Sequence, residues 1–164
     1  MARRKKECVG ILDFSNINQV LVIDPGYDKH IDKLGCTIHI KSGKYKCFIE
    51  TTQLNDWGKR ISRLIVIEEN GDIKDAIYNR EYAKSIPVDS GTMSIISAEY
   101  YANTAITDDK WYENNVMSWC GESNYHIIND KGILSETGLG DGMYDVSTYY
   151  NDNNECIGII VEFI

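Results

Sequence analysis

The chain of 164 residues is 43% apolar and 26% charged, close to the average for a folded domain, which excludes a disordered, collagen-like or membrane-spanning chain. The formal net charge is −8, and residues 91–164 alone hold 2 Lys/Arg and 12 Asp/Glu, a net of −10. A surface of that sign repels phosphate backbones and attracts basic partners. We therefore expect no direct nucleic-acid binding through the C-terminal half.

Residues 1–7 are predicted to form a flexible basic N-terminus, and residues 8–164 a single β-rich domain. The apolar run from Val9 to Leu12 is too short for a secretory signal, and no stretch approaches the ~20 apolar residues of a membrane span. The five cysteines are odd in number and form no Cys-x-x-Cys pair, unlike a secreted disulfide framework. We expect a cytoplasmic protein without membrane association.

Alternating apolar residues predict strands along the first part of the chain. The runs Cys8–Phe14 and Gln19–Asp24 flank a short polar turn, which predicts a first hairpin. The runs Gly35–Lys41 and Lys44–Thr52 are separated by a Ser-Gly turn, which predicts a second hairpin. The apolar, β-branched run Arg60–Glu68 predicts a further strand.

The middle of the chain is less regular. Residues 72–85 have no clean period, although Ile73, Ile77 and Tyr78 fit one side of a short helix. Residues 103–125 mix large aromatic residues with Asp and Asn, and they predict a partly helical excursion packed onto a sheet.

The last part of the chain is again rich in predicted strands. Gly91–Ser97 forms one strand, and residues 127–136 form a hairpin. Met143–Tyr150 is expected to pair with Glu155–Ile164. About ten short strands predict an α+β, β-rich fold, a mostly antiparallel sandwich or half-barrel with short helical excursions.

Three turns each place an aspartate beside glycine: Asp24 before Pro-Gly, Asp89 before Ser-Gly, and Asp141 between two glycines. If these turns meet at one end of the sheet, their carboxylates would bind a metal ion or a small cationic or nucleotide-like ligand. Alternatively, each aspartate bonds its own backbone in an ordinary turn.

Acidic and aromatic residues crowd the C-terminal half, where seven of the eleven tyrosines lie. Tyr and Trp with few Lys or Arg are typical of protein-interface anchors, although Tyr is also common in strands. The predicted partner-binding residues are Asp108, Asp109, Trp111, Tyr112, Glu113, Asp141, Tyr144, Asp145, Tyr149, Tyr150 and Asp152.

The residues give thin support for catalysis. Ser90 lies in Asp-Ser-Gly rather than in Gly-x-Ser-x-Gly, and no motif assigns it a histidine partner. No zinc spacing is present, and the glycine-rich turn Gly138–Gly142 lacks the lysine of a phosphate loop. We expect no cofactor and favour a binding role over an enzymatic one.

The order of the turns carries a family resemblance. An Asp-Pro at Asp24 is followed by Gly43-Lys44-Tyr45, an Arg-containing strand, a central Val-Asp-Ser-Gly at Val88 to Gly91, and a closing Gly-x-Gly-Asp-Gly-x-Tyr at Gly138 to Tyr144. In this order the chain resembles the bacterial family called domain of unknown function 4241 over residues 19–164. Residues 151–154 depart from it, with an Asn-rich turn in place of Asp-Gly.

The family has no settled activity to carry over, but its association with bacterial conflict loci implies an immunity or anti-defence role in a bacterium or phage. We accordingly predict a non-enzymatic binding protein, an inhibitor whose acidic, Tyr-rich C-terminal half docks a basic protein partner such as a nuclease. The alternative is a ligand sponge or hydrolase that binds a small molecule or metal ion through the acidic glycine turns.

Overall fold

The computed structural model describes residues 3–27 and 31–164, with the backbone alone at residues 31 and 32. The strands are β1 (Arg4–Asp13), β2 (Gln19–Ile23), β3 (Cys36–His39), β4 (Lys44–Leu54), β5 (Gly58–Glu68), β6 (Glu81–Val88), β7 (Thr92–Ser97), β8 (Tyr125–Ile128), β9 (Gly132–Glu136), β10 (Gly142–Tyr150) and β11 (Cys156–Glu162). The helices are α1 (Ile31–Leu34), α2 (Ile73–Tyr78) and α3 (Ala98–Thr104), and a π-helical turn covers Glu113–Met117. None of the helices within these ranges combines the length and apolar character needed to cross a membrane.

The strands form two antiparallel sheets. Sheet A has the order β1-β4-β5-β11-β10-β6, and sheet B has the order β3-β2-β7-β9-β8. The prediction of a β-rich, mostly antiparallel α+β sandwich is therefore confirmed.

The main core lies between the two sheets. Val66 and Val161 of sheet A and Val22 and Ile95 of sheet B belong to one buried apolar cluster. Alternate residues of a strand point to opposite faces, so the intervening residues of these strands need a second cover. A second apolar cluster covers the outer face of each sheet.

Short helical segments cover the outer faces of the sheets. On sheet B, Leu21 and Leu134 pack with Tyr101 of α3 and with Trp111. On sheet A, Ile160 packs with Ala76 of α2, together with Ile65 and Ile67. The result is four layers, which explains why β2 and β11 are apolar on both sides.

The predicted excursion of residues 103–125 is now defined. The π-helical turn buries Val116, and Trp119 lies in the same cluster as α3.

α2 begins after Asp72, whose side chain caps it by accepting from the amides of Lys74 and Asp75. Its inner side carries Ile73 and Ile77 as predicted, but Tyr78 is exposed.

Two predicted hairpins are wrong. β1 pairs with β4 in sheet A, whereas β2 pairs with β3 and β7 in sheet B. The turn between β1 and β2 and the turn between β3 and β4 therefore each lead the chain from one sheet to the other. The hairpins β8–β9 and β10–β11 form as predicted, and β4–β5 forms another.

One strand boundary and one additional strand also differ from the sequence prediction. β1 begins at Arg4, so Arg4, Lys5 and Lys6 pair with β4, whereas residues 1 and 2 lie outside the described residues. The strand β6 is absent from the sequence prediction, because the stretch that contains most of it has no clean period. Among the described residues it pairs with β10 alone and forms the edge of sheet A, where Pro87, which has no amide hydrogen, is tolerated.

Candidate functional site

The first acidic turn follows β2 and is organised by Asp24, whose side chain is fully buried. Its Oδ1 accepts a hydrogen bond of 2.7 Å from the amide of Gly26. This local bond is the ordinary turn geometry that was the alternative to a ligand site. The same carboxylate also reaches much further along the chain.

Asp24 joins this turn to the connection between β6 and β7. Its Oδ2 accepts hydrogen bonds from the amides of Asp89 (2.7 Å) and Ser90 (2.8 Å), and Oδ1 accepts one from Ser90 Oγ (2.6 Å). Thr92 Oγ1 lies 2.6 Å from the Ser90 hydroxyl. Four hydrogen bonds therefore compensate the buried carboxylate and fix the two turns against each other.

The third turn, residues 138–142, packs beside the second. The amide of Thr137 donates to the carbonyl of Gly91 (3.0 Å), and the Tyr144 hydroxyl donates to the carbonyl of Gly140 (2.7 Å). Gly91 and Gly140 both have positive φ, at 69° and 79°, a conformation that glycine adopts without strain. A Cβ at Gly91 would lie 3.9 Å from Asp141 Oδ1, so the Asp141 carboxylate borders the second turn.

The first two acidic turns thus meet around one concavity, which we call the acidic hollow, and the third turn borders it, with the Asp141 charge close enough to act on Tyr27 and Tyr112. It has a volume of about 310 Å³ and is lined by Asp24, Gly26, Tyr27, Asp89, Ser90 and Tyr112. The Tyr27 hydroxyl donates to Asp89 Oδ2 (2.6 Å). Tyr101 of α3 donates to the Tyr27 carbonyl and fixes that backbone from behind.

The hollow has a negative potential that acts on its tyrosines. Burial raises the pKa of Tyr27, and the hydrogen bond to Asp89 and the charges of Asp24 and Asp141 raise it further. Burial also raises the pKa of Tyr112, where a hydrogen bond with Ser90 opposes the effect and Asp24 and Asp141 add to it. Both phenols therefore stay protonated, and the negative charge stays on the carboxylates.

The metal site proposed from sequence is not present in this geometry. Within the described part of the chain, no group of three His, Cys, Asp or Glu side chains is placed to hold a metal ion. Both oxygens of Asp24 already accept two hydrogen bonds each. Asp89 and Asp141 are exposed, so the hollow offers carboxylates and aromatic rings to a cationic ligand.

Two predicted interface anchors belong to the interior. Trp111 is buried and meets Tyr101 edge to face, with ring centroids 5.7 Å apart. Tyr144 is buried and packs at right angles on Phe163, at 5.2 Å. Their burial corrects the prediction that they contact a partner, because large aromatic rings gain most from packing in a core.

The other predicted partner-binding residues are divided between opposite sides of the sandwich. On the sheet B side, Trp111 is flanked by Asp108, Asp109, Tyr112 and Glu113, and all three acidic residues of this group are exposed. Asp145, Tyr149, Tyr150 and Asp152 belong to the sheet A side: Tyr149 packs in the cluster under α2 and donates to Asp75, and Asp152 lines the same hollow as Asp75. Asp141 lies at the acidic hollow. One flat partner cannot contact both groups at once.

Sequence reasoning missed Tyr27 and the role of Ser90 as a link between turns. The one sequence signal for Tyr27 is its position directly after Asp-Pro-Gly, in the same turn as Asp24. The bond between residues 24 and 90 has no local signal.

A scan against protein-family models finds no family that matches the chain, and searches of curated proteins and of solved structures find no match. The resemblance to the bacterial domain of unknown function therefore stays a prediction.

Proposed function

We propose that this protein is a non-enzymatic binding protein whose acidic hollow captures a cationic side chain of a basic protein partner. The supporting observation is that the buried Asp24 joins the first two acidic turns, while the third turn packs beside the second. Asp89 and Asp141 are exposed there beside Tyr27 and Tyr112. An arginine or lysine entering the hollow would meet carboxylate oxygens and aromatic faces, the groups that bind guanidinium and ammonium ions best.

The rigidity of the hollow favours binding. Its turns are already held by the hydrogen bonds of Asp24 and by the strands that flank them. A preorganised site loses little conformational entropy when the ligand enters, and this raises affinity without new contacts. Exposed Asp108, Asp109 and Glu113 on the same side would speed association with a basic surface.

The immunity or anti-defence role follows as part of the same proposal. The partner would be a basic effector such as a nuclease, and the acidic side of this protein would occupy the surface that binds the phosphate backbone. This step is supported by the charge of residues 91–164 and by the family resemblance.

The test is calorimetric titration of an oligoarginine peptide into matched charge variants. Asp89→Asn with Asp141→Asn removes two charges at the hollow, and Asp145→Asn with Asp152→Asn removes two on the opposite side. We expect the first pair to weaken binding about tenfold, or ~1.4 kcal/mol, and the second pair to change it less than about threefold. Equal effects of the two pairs would show that the peptide senses net charge alone.

A second candidate function is capture of a small organic cation, favoured by the concave shape and aromatic walls of the hollow. A ligand of this kind raises stability by about 2.7 kcal/mol at a hundredfold excess over its Kd. A melting screen against polyamines, nucleotides, Mg²⁺ and Ca²⁺ distinguishes this function. Stabilisation by one small molecule, lost in the Asp89→Asn and Asp141→Asn variant, would favour it over a protein partner.

A further inference from the structure

A second charged region, opposite in sign, lies at one end of sheet A. The strand register places Arg4 opposite Thr52, which itself lies opposite Arg60. The next row on the same face contains Lys6, Glu50 and Arg63. We call Arg4, Lys5, Lys6, Trp57, Lys59 and Arg60 the basic rim.

The cations of this region exceed its carboxylates. Glu50 is fully buried and is contacted by Arg4 (2.9 Å), Lys6 (3.5 Å) and Arg63 (3.2 Å). Glu162 is bonded by Arg63 and Arg80. Four cationic side chains thus share two carboxylates, and Arg4 and Lys6 remain about one-third exposed, at 36% and 33%. Lys5, Lys59 and Arg60 are exposed beyond this network, and so are the carboxylates of Glu7 and Asp56, so seven cations stand against four carboxylates.

The turn between β4 and β5 adds an aromatic surface. Trp57 is 59% exposed, unlike Trp111 and Trp119, which are buried. The Arg60 guanidinium lies 6.0 Å from the centre of the Trp57 ring, and Arg60 Nε donates to the Trp57 carbonyl (2.9 Å). The ring is thus held beside a cation at the end of the sheet.

We propose that the basic rim binds single-stranded nucleic acid, with phosphates on its Lys and Arg side chains and a base stacked on Trp57. An exposed aromatic ring within a row of cations is the combination that such sites use. The inference goes beyond the binding function of the acidic hollow, because it concerns the opposite charge and the β1–β4–β5 edge of sheet A, whereas the acidic turns lie at the β10–β6 edge. It agrees with the sequence prediction, which excluded nucleic acid from the C-terminal half alone.

A membrane surface is the less favoured partner. Interfacial binding needs a broad apolar face beside the cations. In the β4–β5 turn Trp57 is mostly exposed and Leu54 is half-buried. The exposed side chains of Leu139 and Met143 lie just before β10 and at its start, two strands away from β5, so they do not form one apolar face with Trp57.

The test is fluorescence anisotropy of a labelled oligo(dT) at about 50 mM salt, where phosphate contacts are strong. The main variant, Lys59→Glu with Arg60→Glu, changes exposed residues that do not contact Glu50. We expect at least a tenfold loss of affinity and a salt slope smaller by about 1.4, since each lost contact to a single strand removes ~0.7. The control Lys110→Glu, an exposed lysine on the sheet B side, should bind as the wild type does.

Trp57→Ala provides a second variant that leaves the charge unchanged. It should weaken binding at least about fivefold, the effect of ~1 kcal/mol of lost stacking, and leave the salt slope unchanged. Circular dichroism melts of all variants verify that they fold. Absence of wild-type binding, equal binding by Lys59→Glu/Arg60→Glu and Lys110→Glu, or binding to anionic vesicles in place of oligo(dT), would each overturn the proposal. Absence of binding would instead assign the cations to protecting the edge strand β1 from unwanted pairing.

Discussion

Asp24 and Glu50 are both fully buried carboxylates, yet the protein compensates them in different ways. Asp24 accepts hydrogen bonds from backbone amides and from Ser90. Glu50 is bonded by Ser62 and by the cations Arg4, Lys6 and Arg63. Amide dipoles leave the surroundings of Asp24 with a net negative charge, whereas the ion pairs leave the region around Glu50 positive. The contrast explains how one small domain presents an acidic hollow and a basic rim.

Among the variants that test this contrast, Asp24→Asn is expected to lower the free energy of unfolding most. The amide group of asparagine replaces an acceptor oxygen with a donor, so buried backbone amides lose their partner and face another N–H. Each unsatisfied buried group costs about 1–3 kcal/mol, and we expect a loss of about 3–5 kcal/mol in the free energy of unfolding. Urea denaturation measures it, with Asp108→Asn as an exposed control expected within about 0.5 kcal/mol. A loss below about 1 kcal/mol would contradict the organising role of Asp24.

Glu50→Gln should have the next largest effect. Breaking a buried ion pair costs about 3–5 kcal/mol, but Arg4 and Lys6 can still reach water, so we expect about 2–3 kcal/mol. The strands on both sides of Glu50 stay paired through their backbones, and binding at the acidic hollow should not change. Urea denaturation and the oligoarginine titration, made on the same variant, separate the two expectations.

The stabilities of the wild type and of the Glu50→Gln variant should also respond differently to acid. Burial alone raises the pKa of Glu50, but hydrogen bonds from Ser62 and Arg4 and the charge of Arg63 outweigh it and hold the pKa below its ordinary value. A lowered pKa in the folded state contributes stability above the unfolded pKa near 4.3, and this contribution disappears as the pH falls through the folded value. The difference in unfolding free energy between wild type and Glu50→Gln should therefore shrink as the pH falls below about 4. A constant difference between pH 7 and pH 3 would show that Glu50 contributes no charge-dependent stability.

The smallest effects come from a matched pair of hydroxyl deletions. Ser90→Ala removes the hydroxyl that donates to Asp24, and Ser62→Ala removes the one that donates to Glu50 at 2.7 Å. We expect losses of about 2 and 1 kcal/mol, because Glu50 keeps its cations, whereas Asp24 has no ion pair with any residue that the structure describes. Thermal denaturation ranks the two variants. A larger loss for Ser62→Ala would reverse the proposed order of dependence.

The parts of the fold that were predictable depend on local pattern. The hairpin of β10 and β11 has alternating strands around a short polar turn, and both its strands and its pairing were predicted. The turn after β1 has similar residues but passes between sheets, because the pairing of β1 with β4 lies far along the chain. Periodicity reports which residues are buried, but it does not report which strand covers them.

The same limit applies to the site. The three acidic turns were recognisable from Asp beside Gly, and their convergence was one of the two alternatives considered. Which alternative holds depends on bonds such as Ser90 to Asp24, which span 66 residues. Tyr144 and Tyr149 lie an odd number of residues apart on β10, so alternation places them on opposite faces, but it does not report what covers each face: Tyr144 faces the inter-sheet core and Tyr149 faces α2.

Mapping the binding of an oligoarginine peptide by amide chemical shifts tests the central claim most directly. If the acidic hollow captures a cationic group, the largest shifts will fall on the amides of Gly26, Asp89 and Ser90, which surround the Asp24 carboxylate, with further shifts at Gly140 and Asp141. Shifts of equal size at residues 145–152, on the opposite side, would show binding by net charge without a site. Shifts centred on that opposite side would contradict the account.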